Sequence, residues 1–322
     1  MKIVLILLLV LATCVGYAQN SVLTFTDYGV TQPLINPAAM GHENGANGLL
    51  LYHSRFEKSD YWPSTAAFNL NSMIKEKNFG GGLSAIFDKF GPYQKLFLYV
   101  AGTYRLKVNE GKNLFFGLQA GVNYVSNAGG YQQNPSIGGG GGMDNELLPT
   151  DNYSQPNFGF GLHFETENYF VGASIPEFRY NTLDNEGNKI AQTASEMMRI
   201  YLYGGCRFKV GKTTRLMPYA YLSYSEYESA KVDLGVKLLL REAFEFGMQF
   251  RTKEAFGVLL KVRVFDGLWL NYAFEGNSSD VGSKFNSTQE IGLSFHFGKK
   301  GKKSSSSEEE KVDDSINSIR YF

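Results

Sequence analysis

The feature of this sequence that most constrains its fold is a two-residue alternation of apolar side chains with small or polar ones. In Gln289 to Phe297 (QEIGLSFHF), the last seven residues alternate between Ile, Leu or Phe and Gly, Ser or His. A pleated strand points successive side chains to opposite faces, so this stretch has one apolar face and one small, polar face. Similar alternation recurs in about 14 segments, from Gly48 to Phe56 through Thr288 to Phe297. The pattern predicts an all-β chain.

The lengths of the connections between these segments indicate how the strands are arranged. The three longest gaps are Val125 to Ser154, Pro176 to Met197 and Gly276 to Ser287, which follow the fifth, seventh and thirteenth segments. All three therefore fall at one end of an up-and-down sheet. Bacterial outer-membrane barrels place long loops outside the cell and short turns in the periplasm. We therefore expect a periplasmic N-terminus and three long external loops.

The two faces of the strands differ in polarity, which predicts the face that lines the interior. In residues 244–251 every second residue is Phe or Met, and the residues between them include Glu245, Gln249 and Arg251. About 14 strands enclose a lumen wider than the roughly eight-strand case that side chains can fill, so the charged face is expected inside. The predicted lumen-facing charged residues are Arg199, Arg207, Lys231, Asp233, Lys237, Glu245, Arg251, Lys261 and Arg263.

A membrane environment also requires that the sheet close on itself. Each unpaired backbone group in hydrocarbon costs several kcal/mol, so no strand edge can remain open. We therefore predict a transmembrane antiparallel β-barrel of about 14 strands in the outer membrane, with its apolar face against outer-membrane lipid. The high aromatic content, 15%, and the 36 glycines agree with aromatic girdles and a lumen lined by small residues.

The two ends of the chain differ in character from the barrel. Lys2, an apolar run and the small residues Gly16 to Ala18 predict a signal peptide over residues 1–18, the alternative being a lipoprotein signal acylated at Cys14. Residues 19–45 contain an Asn-Pro turn and are too irregular for a lipid-facing strand, so we expect an N-terminal periplasmic segment. The barrel is expected over residues 46–297, and a disordered, charged periplasmic tail over residues 298–322.

Residue types that usually carry catalysis or ligand binding form no recognisable constellation. The four histidines lie far apart in the sequence, and the mature chain would keep a single cysteine, Cys206. The glycine run in Ile137 to Met143 lacks the Lys-Ser/Thr of a phosphate-binding loop. A net charge of zero gives no reason to expect a nucleic-acid partner. We predict no enzyme activity, catalytic residue, cofactor or metal site; the lumen charges either form an ion path or pair with one another.

Two stretches have the character of binding elements. Residues 25–41 are rich in turn-forming residues and directly precede the first strand. The tail ends in apolar residues on a charged tether, and either a periplasmic partner captures them or they make no contact. The candidate partner-binding residues are Tyr28, Gln32, Pro33, Asn36, Pro37, Met40 and Gly41 in the first stretch, and Ile316, Ile319, Tyr321 and Phe322 in the tail.

Residues 32–41 (QPLINPAAMG) resemble the N-terminal "NPA.AG" signature of the PorP/SprF family of type IX secretion outer-membrane proteins. Further stretches follow in the family's order, namely GGGLSAIFDKFGP at 80–92, YFVGASIPEF at 169–178, LMPYAYL at 216–222 and LWLNYAFE at 268–275. The resemblance implies an outer-membrane component of the type IX machinery of Bacteroidota, linked to protein export, surface anchoring and gliding adhesins. It also implies the PorE-like peptidoglycan-associated lipoprotein and the PorK/PorN ring as periplasmic partners.

Three functions are compatible with these observations. The first is a non-enzymatic secretion component, a barrel scaffold that binds cargo through its external loops and periplasmic partners through its N-terminal segment or tail. The second is a solute channel or FadL-like transporter, which the polar lumen face suggests. The third is a surface adhesin that acts through the glycine-rich loops.

Overall fold

A computed structural model describes residues 25–41, 45–56, 63–74, 77–90, 93–127, 152–178, 198–225, 228–252, 255–277 and 287–297. These residues form one short α-helix, α1 (Tyr28–Ile35), one 3-10 helix, η1 (Pro37–Ala39), and a meander of antiparallel strands. The strands are β1 Gly45–Phe56, β2 Ser64–Met73, β3 Phe79–Phe90, β4 Tyr93–Asn109, β5 Lys112–Asn127, β6 Asn152–Thr166, β7 Tyr169–Ile175, β8 Arg199–Cys206 with Phe208–Lys209, β9 Thr214–Ser225, β10 Glu228–Leu240, β11 Phe244–Arg251, β12 Ala255–Phe265, β13 Leu268–Asn277 and β14 Ser287–Phe297.

These strands form a closed barrel. Each strand pairs with the next one along the chain, and β14 pairs with β1 from Ala46 opposite Phe297 to Phe56 opposite Ser287. The two parts of β8 keep one register with β9, because Tyr219 lies opposite Gly205 and Arg215 opposite Lys209. The closed antiparallel barrel of fourteen strands confirms the predicted fold class. Among the described residues, no helix has the length and apolar character needed to cross a membrane.

The strand order gives the barrel two different ends. The three long connections, over residues 128–151, 176–198 and 278–286, all join strand ends at one end, which we call the long-loop end. The other end, the short-turn end, has connections as short as the two residues Asp266 and Gly267. The outer face is apolar, as predicted, with exposed side chains such as Phe158, Leu234 and Phe250.

The interior of the barrel is occupied by residues 25–41, which we call the lumen segment. Every residue of this segment is buried. Asp27 caps α1 by accepting hydrogen bonds from the backbone N–H groups of Gly29 and Val30, and Asn36 ends α1 and caps η1. The segment runs from Phe25, against Arg251 near the long-loop end, to Gly41, beside Asn71 near the short-turn end. Residues 25–41, which belong to the periplasmic segment expected over residues 19–45, therefore lie inside the barrel. They occupy a lumen that is too wide for inward-facing side chains alone to fill.

Glycines on the lumen face make room for this segment. A Cβ on Gly117 of β5 would overlap the backbone of Pro37 and Ala38, and a Cβ on Gly161 of β6 would overlap the Asn36 side chain. Gly41 has a φ of 65°, a left-handed conformation that favours glycine, where the segment turns towards β1. The approach between segment and wall is therefore too close for any side chain at these wall positions.

A second stretch, residues 176–178 after β7, also folds over the lumen face. The Pro176 carbonyl accepts hydrogen bonds from Gln119 Nε2 at 2.7 Å and from Asn157 Nδ2 at 3.2 Å. The Tyr99 hydroxyl donates to Glu177 Oε1 at 3.1 Å. These contacts cover the lumen face of β4 to β6 near the long-loop end.

We predict that Gly117→Ala lowers the unfolding temperature of the barrel in SDS, whereas Gly102→Ala does not. The added methyl group at position 117 meets the lumen segment, and overpacking of this kind costs about 1–3 kcal/mol. Gly102, on the outer face of neighbouring β4, has no atom within 4 Å of an added Cβ. The change in migration on SDS gels after heating measures the unfolding temperature of both variants. Equal unfolding temperatures would show that residue 117 does not contact the segment.

Candidate functional site

The candidate functional site is the lumen wall where charged side chains meet the lumen segment. Six of the nine predicted lumen-facing charged residues are buried in the structure, and Arg207, Lys231 and Arg263 are partly exposed. The six buried residues are Arg199, Asp233, Lys237, Glu245, Arg251 and Lys261. Their alternation with outward-facing apolar residues on β8 and β10 to β12 places them on the inner face.

Lys237 of β10 forms the first ion-pair cluster between wall and segment. Its Nζ lies 2.9 Å from Asp27 Oδ1, 3.1 Å from Asp27 Oδ2 and 3.1 Å from Glu245 Oε1. The Lys237 side chain is only 1% exposed. Asp27 therefore caps α1 and also holds the start of the helix against β10 and β11.

Arg251 of β11 forms the second cluster, towards the long-loop end. Its Nε donates to Asp233 Oδ1 at 2.6 Å, and its Nη1 lies 2.9 Å from a Glu275 carboxylate oxygen. Its Nη2 donates to the Phe25 carbonyl at 2.9 Å. Buried charges are stable only when they are paired and hydrogen-bonded. Both conditions hold here, and one of the bonds goes to the segment.

Glu290 of β14, three strands along the barrel from β11, holds the same part of the segment. Its two carboxylate oxygens accept hydrogen bonds from the backbone N–H of Thr26 at 2.9 Å and of Asp27 at 3.2 Å. His53 Nδ1 of β1 lies 3.1 Å from Glu290 Oε2. The strand that closes the barrel thus also binds the segment.

Aromatic stacking continues the contact along α1. The Tyr28 ring stacks on Tyr221 with centroids 4.9 Å apart, and Tyr221 stacks on Tyr203 at 5.1 Å. Gln32 Nε2 donates to the Tyr221 hydroxyl at 2.7 Å, and Asn36 Nδ2 donates to the Tyr203 hydroxyl at 2.8 Å. The hydroxyl groups of the two wall tyrosines, Tyr221 and Tyr203, are therefore each satisfied by a side chain of the segment.

Comparison with known proteins identifies the family. The sequence pattern of the type IX secretion system membrane protein PorP/SprF matches residues 18–295, which covers the lumen segment and all but the last two residues of the barrel. The chain belongs to the PorP/SprF family. A search of curated proteins gave no match.

A solved channel structure shares the fold of this PorP/SprF protein, and another solved structure is similar with a lower TM-score. The CymD monoaromatic hydrocarbon channel is similar with a TM-score of 0.51 and 11% identity, over 84% of this chain and 93% of that chain. The outer membrane protein Omp33 of Acinetobacter baumannii is similar with a TM-score of 0.44 and 8% identity, over 80% of this chain and 100% of that chain. The family and the barrel make the chain an outer-membrane protein of the type IX secretion family.

The signature that resembles the PorP/SprF family lies inside the barrel. Asn36 and Pro37 contact β6 and β5 at Gly161 and Gly117, where a Cβ would overlap them. Pro33 lines a small cavity, and Met40 Sδ lies 3.8 Å from Asn69 Nδ2. The segment candidates for partner binding are thus all buried, and the tail candidates Ile316, Ile319, Tyr321 and Phe322 lie outside the described residues.

Several residues that hold the segment were not singled out in the sequence. Glu290, Tyr203, Tyr221 and Ser174 each bond the segment from a different part of the wall. Alternation alone places all four on the polar face of their strands. It does not distinguish them from lumen residues that contact only the wall, because the partner comes from a distant part of the chain.

We predict that Lys237→Met loosens the lumen segment, whereas Lys209→Met has little effect. Without Lys237, the carboxylates of Asp27 and Glu245 face each other in the interior, and breaking a buried pair costs about 3–5 kcal/mol. Lys209 pairs with Glu167 at 2.7 Å, but both are more than half exposed, and such pairs contribute about 0.2–1 kcal/mol.

Chymotrypsin cleavage after Tyr28 in the detergent-solubilised protein measures this effect. Cleavage of the Lys237→Met protein should be at least tenfold faster than that of the wild type, since about 1.4 kcal/mol corresponds to a factor of ten. A Lys237→Met protein that is cleaved as slowly as Lys209→Met would contradict the role of this ion pair.

Proposed function

We propose that this PorP/SprF protein is a structural component of the type IX secretion machinery, a closed barrel that binds secretion partners or cargo. The observation that carries the proposal is the lumen segment, which fills the interior of a barrel whose family serves secretion. A barrel with a filled interior contributes surfaces rather than a passage. Its two ends are then the places where other proteins bind.

Close packing at one point between the segment and the wall supports a closed resting state. A cavity lined by Val30, Pro33, Leu49 and Lys261, among others, has a volume of about 10 Å³. A single water molecule needs about that much room. Passage of a larger solute through this point would therefore require the segment to move.

The proposed partners follow from the family and from the two ends of the barrel. We assign secreted or surface cargo to the long-loop end, outside the cell. We assign the PorE-like lipoprotein and the PorK/PorN ring to the short-turn end and to the tail that follows Phe297. Tyr28, Gln32 and Asn36, which are buried, hold the closed state in this proposal, and the tail residues carry partner binding.

A solute channel or FadL-like transporter is the alternative function. The similarity in fold to the CymD monoaromatic hydrocarbon channel and the polar lumen wall favour it. The filled lumen argues against it, because the buried ion pair between Asp27 and Lys237 and the hydrogen bond from Arg251 to the Phe25 carbonyl hold the segment in place.

We predict that deletion of the gene abolishes the release or surface display of type IX substrates and leaves the uptake of small solutes unchanged. Proteomics of the culture medium and the cell surface measures the first effect, and growth on limiting solutes measures the second. Complementation with the wild-type chain is the control. Normal secretion together with impaired uptake would reject the proposed function in favour of the channel.

A separate prediction concerns the tail. Replacing Ile316, Ile319, Tyr321 and Phe322 by Ser should remove co-purification of periplasmic type IX subunits from detergent-extracted outer membrane, because the apolar anchors are lost. Replacing the serine run at 304–307 by Ala is the matched control and should leave co-purification intact. Equal recovery of the subunits from both variants would exclude the apolar residues as the binding element.

A further inference from the structure

The lumen segment has the properties of a bound peptide. Its C-terminal end is joined to β1 through residues 42–44. Between residues 25 and 41, non-covalent contacts hold it against the barrel wall. Among the described residues, more than half of the hydrogen bonds between wall and segment join a side chain of the wall to a backbone N–H or C=O group of the segment. This arrangement is typical of a site that binds an extended or helical chain.

The wall reaches the segment backbone at both ends. At the first end, Gln249 Nε2 donates to the Thr26 carbonyl at 2.8 Å, beside the bond that Arg251 donates to Phe25 and the bond that Glu290 accepts from the Thr26 N–H. At the other end, Thr103 Oγ1 donates to the Pro37 carbonyl at 2.8 Å, and Asn71 Oδ1 accepts from the Gly41 N–H at 2.9 Å. In between, Ser174 Oγ donates to the Ile35 carbonyl at 2.7 Å. Five different strands thus supply groups that satisfy the backbone of this segment.

Side-chain contacts add sequence specificity to this backbone binding. The wall provides a buried ammonium group, Lys237, for the carboxylate of Asp27, and an aromatic face, Tyr221, for the ring of Tyr28. Further along, Tyr203 and the missing side chain of Gly161 fit the Asn36 amide. The recognised chemistry is therefore an acidic residue followed by an aromatic residue, then a helical turn and an Asn-Pro pair.

We infer that the barrel interior is a peptide-binding site, and that residues 25–41 are its resident, exchangeable ligand. The site takes a peptide with an acidic-aromatic pair and an Asn-Pro pair spaced as in the lumen segment. Release of the resident segment frees the site for a second peptide of the same chemistry. The inference concerns the barrel itself and does not depend on the proposed role in secretion.

The test uses the full chain with a protease site introduced at residues 42–44. After folding in detergent, cleavage leaves the segment held by non-covalent contacts alone, and a fluorescent peptide of residues 25–41 is added. Fluorescence anisotropy should show saturable exchange into the barrel. A peptide with Asp27→Asn should bind at least tenfold more weakly to the wild-type barrel, and this difference should disappear with the Lys237→Met barrel.

Control variants keep the inference falsifiable. A peptide of the same composition in scrambled order should not bind, and the Lys209→Met barrel should bind like the wild type. Equal binding of the scrambled peptide would overturn the inference, as would loss of the SDS-resistant fold when the segment dissociates. A chain with Asn36→Ala controls for slow release of the resident segment, because that segment loses its hydrogen bond to Tyr203. No exchange in either this chain or the wild type would also overturn the inference.

Discussion

The structure depends on one packing constraint, which is that a closed sheet of fourteen strands encloses more space than its inward side chains can fill. Closure is required because lipid offers no hydrogen bonds to an open strand edge. The wide lumen that results from closure must then be occupied by water or by protein. Here it is occupied by residues 25–41, and the glycines of the inner face, such as Gly117 and Gly161, let this segment approach the wall closely.

Charged groups decide how the segment is held. Lys237 and Arg251 are buried, and each is paired with carboxylates of neighbouring strands as well as with a group of the segment. Such pairs add little stability relative to apolar packing, but removal of one partner is costly. The same network therefore favours a single position of the segment and makes that position sensitive to the loss of one charge. This combination gives the segment one defined position in the lumen.

The position of the segment also connects the fold with the proposed function. The signature of the PorP/SprF family lies in the lumen, where Asn36 contacts Tyr203 and Pro37 contacts Thr103. Residues of a family signature can therefore hold a segment in the lumen rather than contact a partner directly. While the segment occupies the lumen, the surfaces left for partners are the two ends, and these differ in the length of their connections.

Local pattern in the sequence was sufficient to predict the strands, the polar interior and the sorting of loops. The alternation in β14, for example, results from the geometry of a strand between lipid and lumen, and it can be read without knowledge of any other strand. The location of residues 25–41 depended on tertiary structure. Their prolines and turn residues indicate an irregular segment, but burial comes from contacts with Glu290, Lys237 and Tyr221, which are distant in the chain. Closure of the barrel brings these groups together. A local sequence pattern carries no information about such contacts between distant parts of the chain.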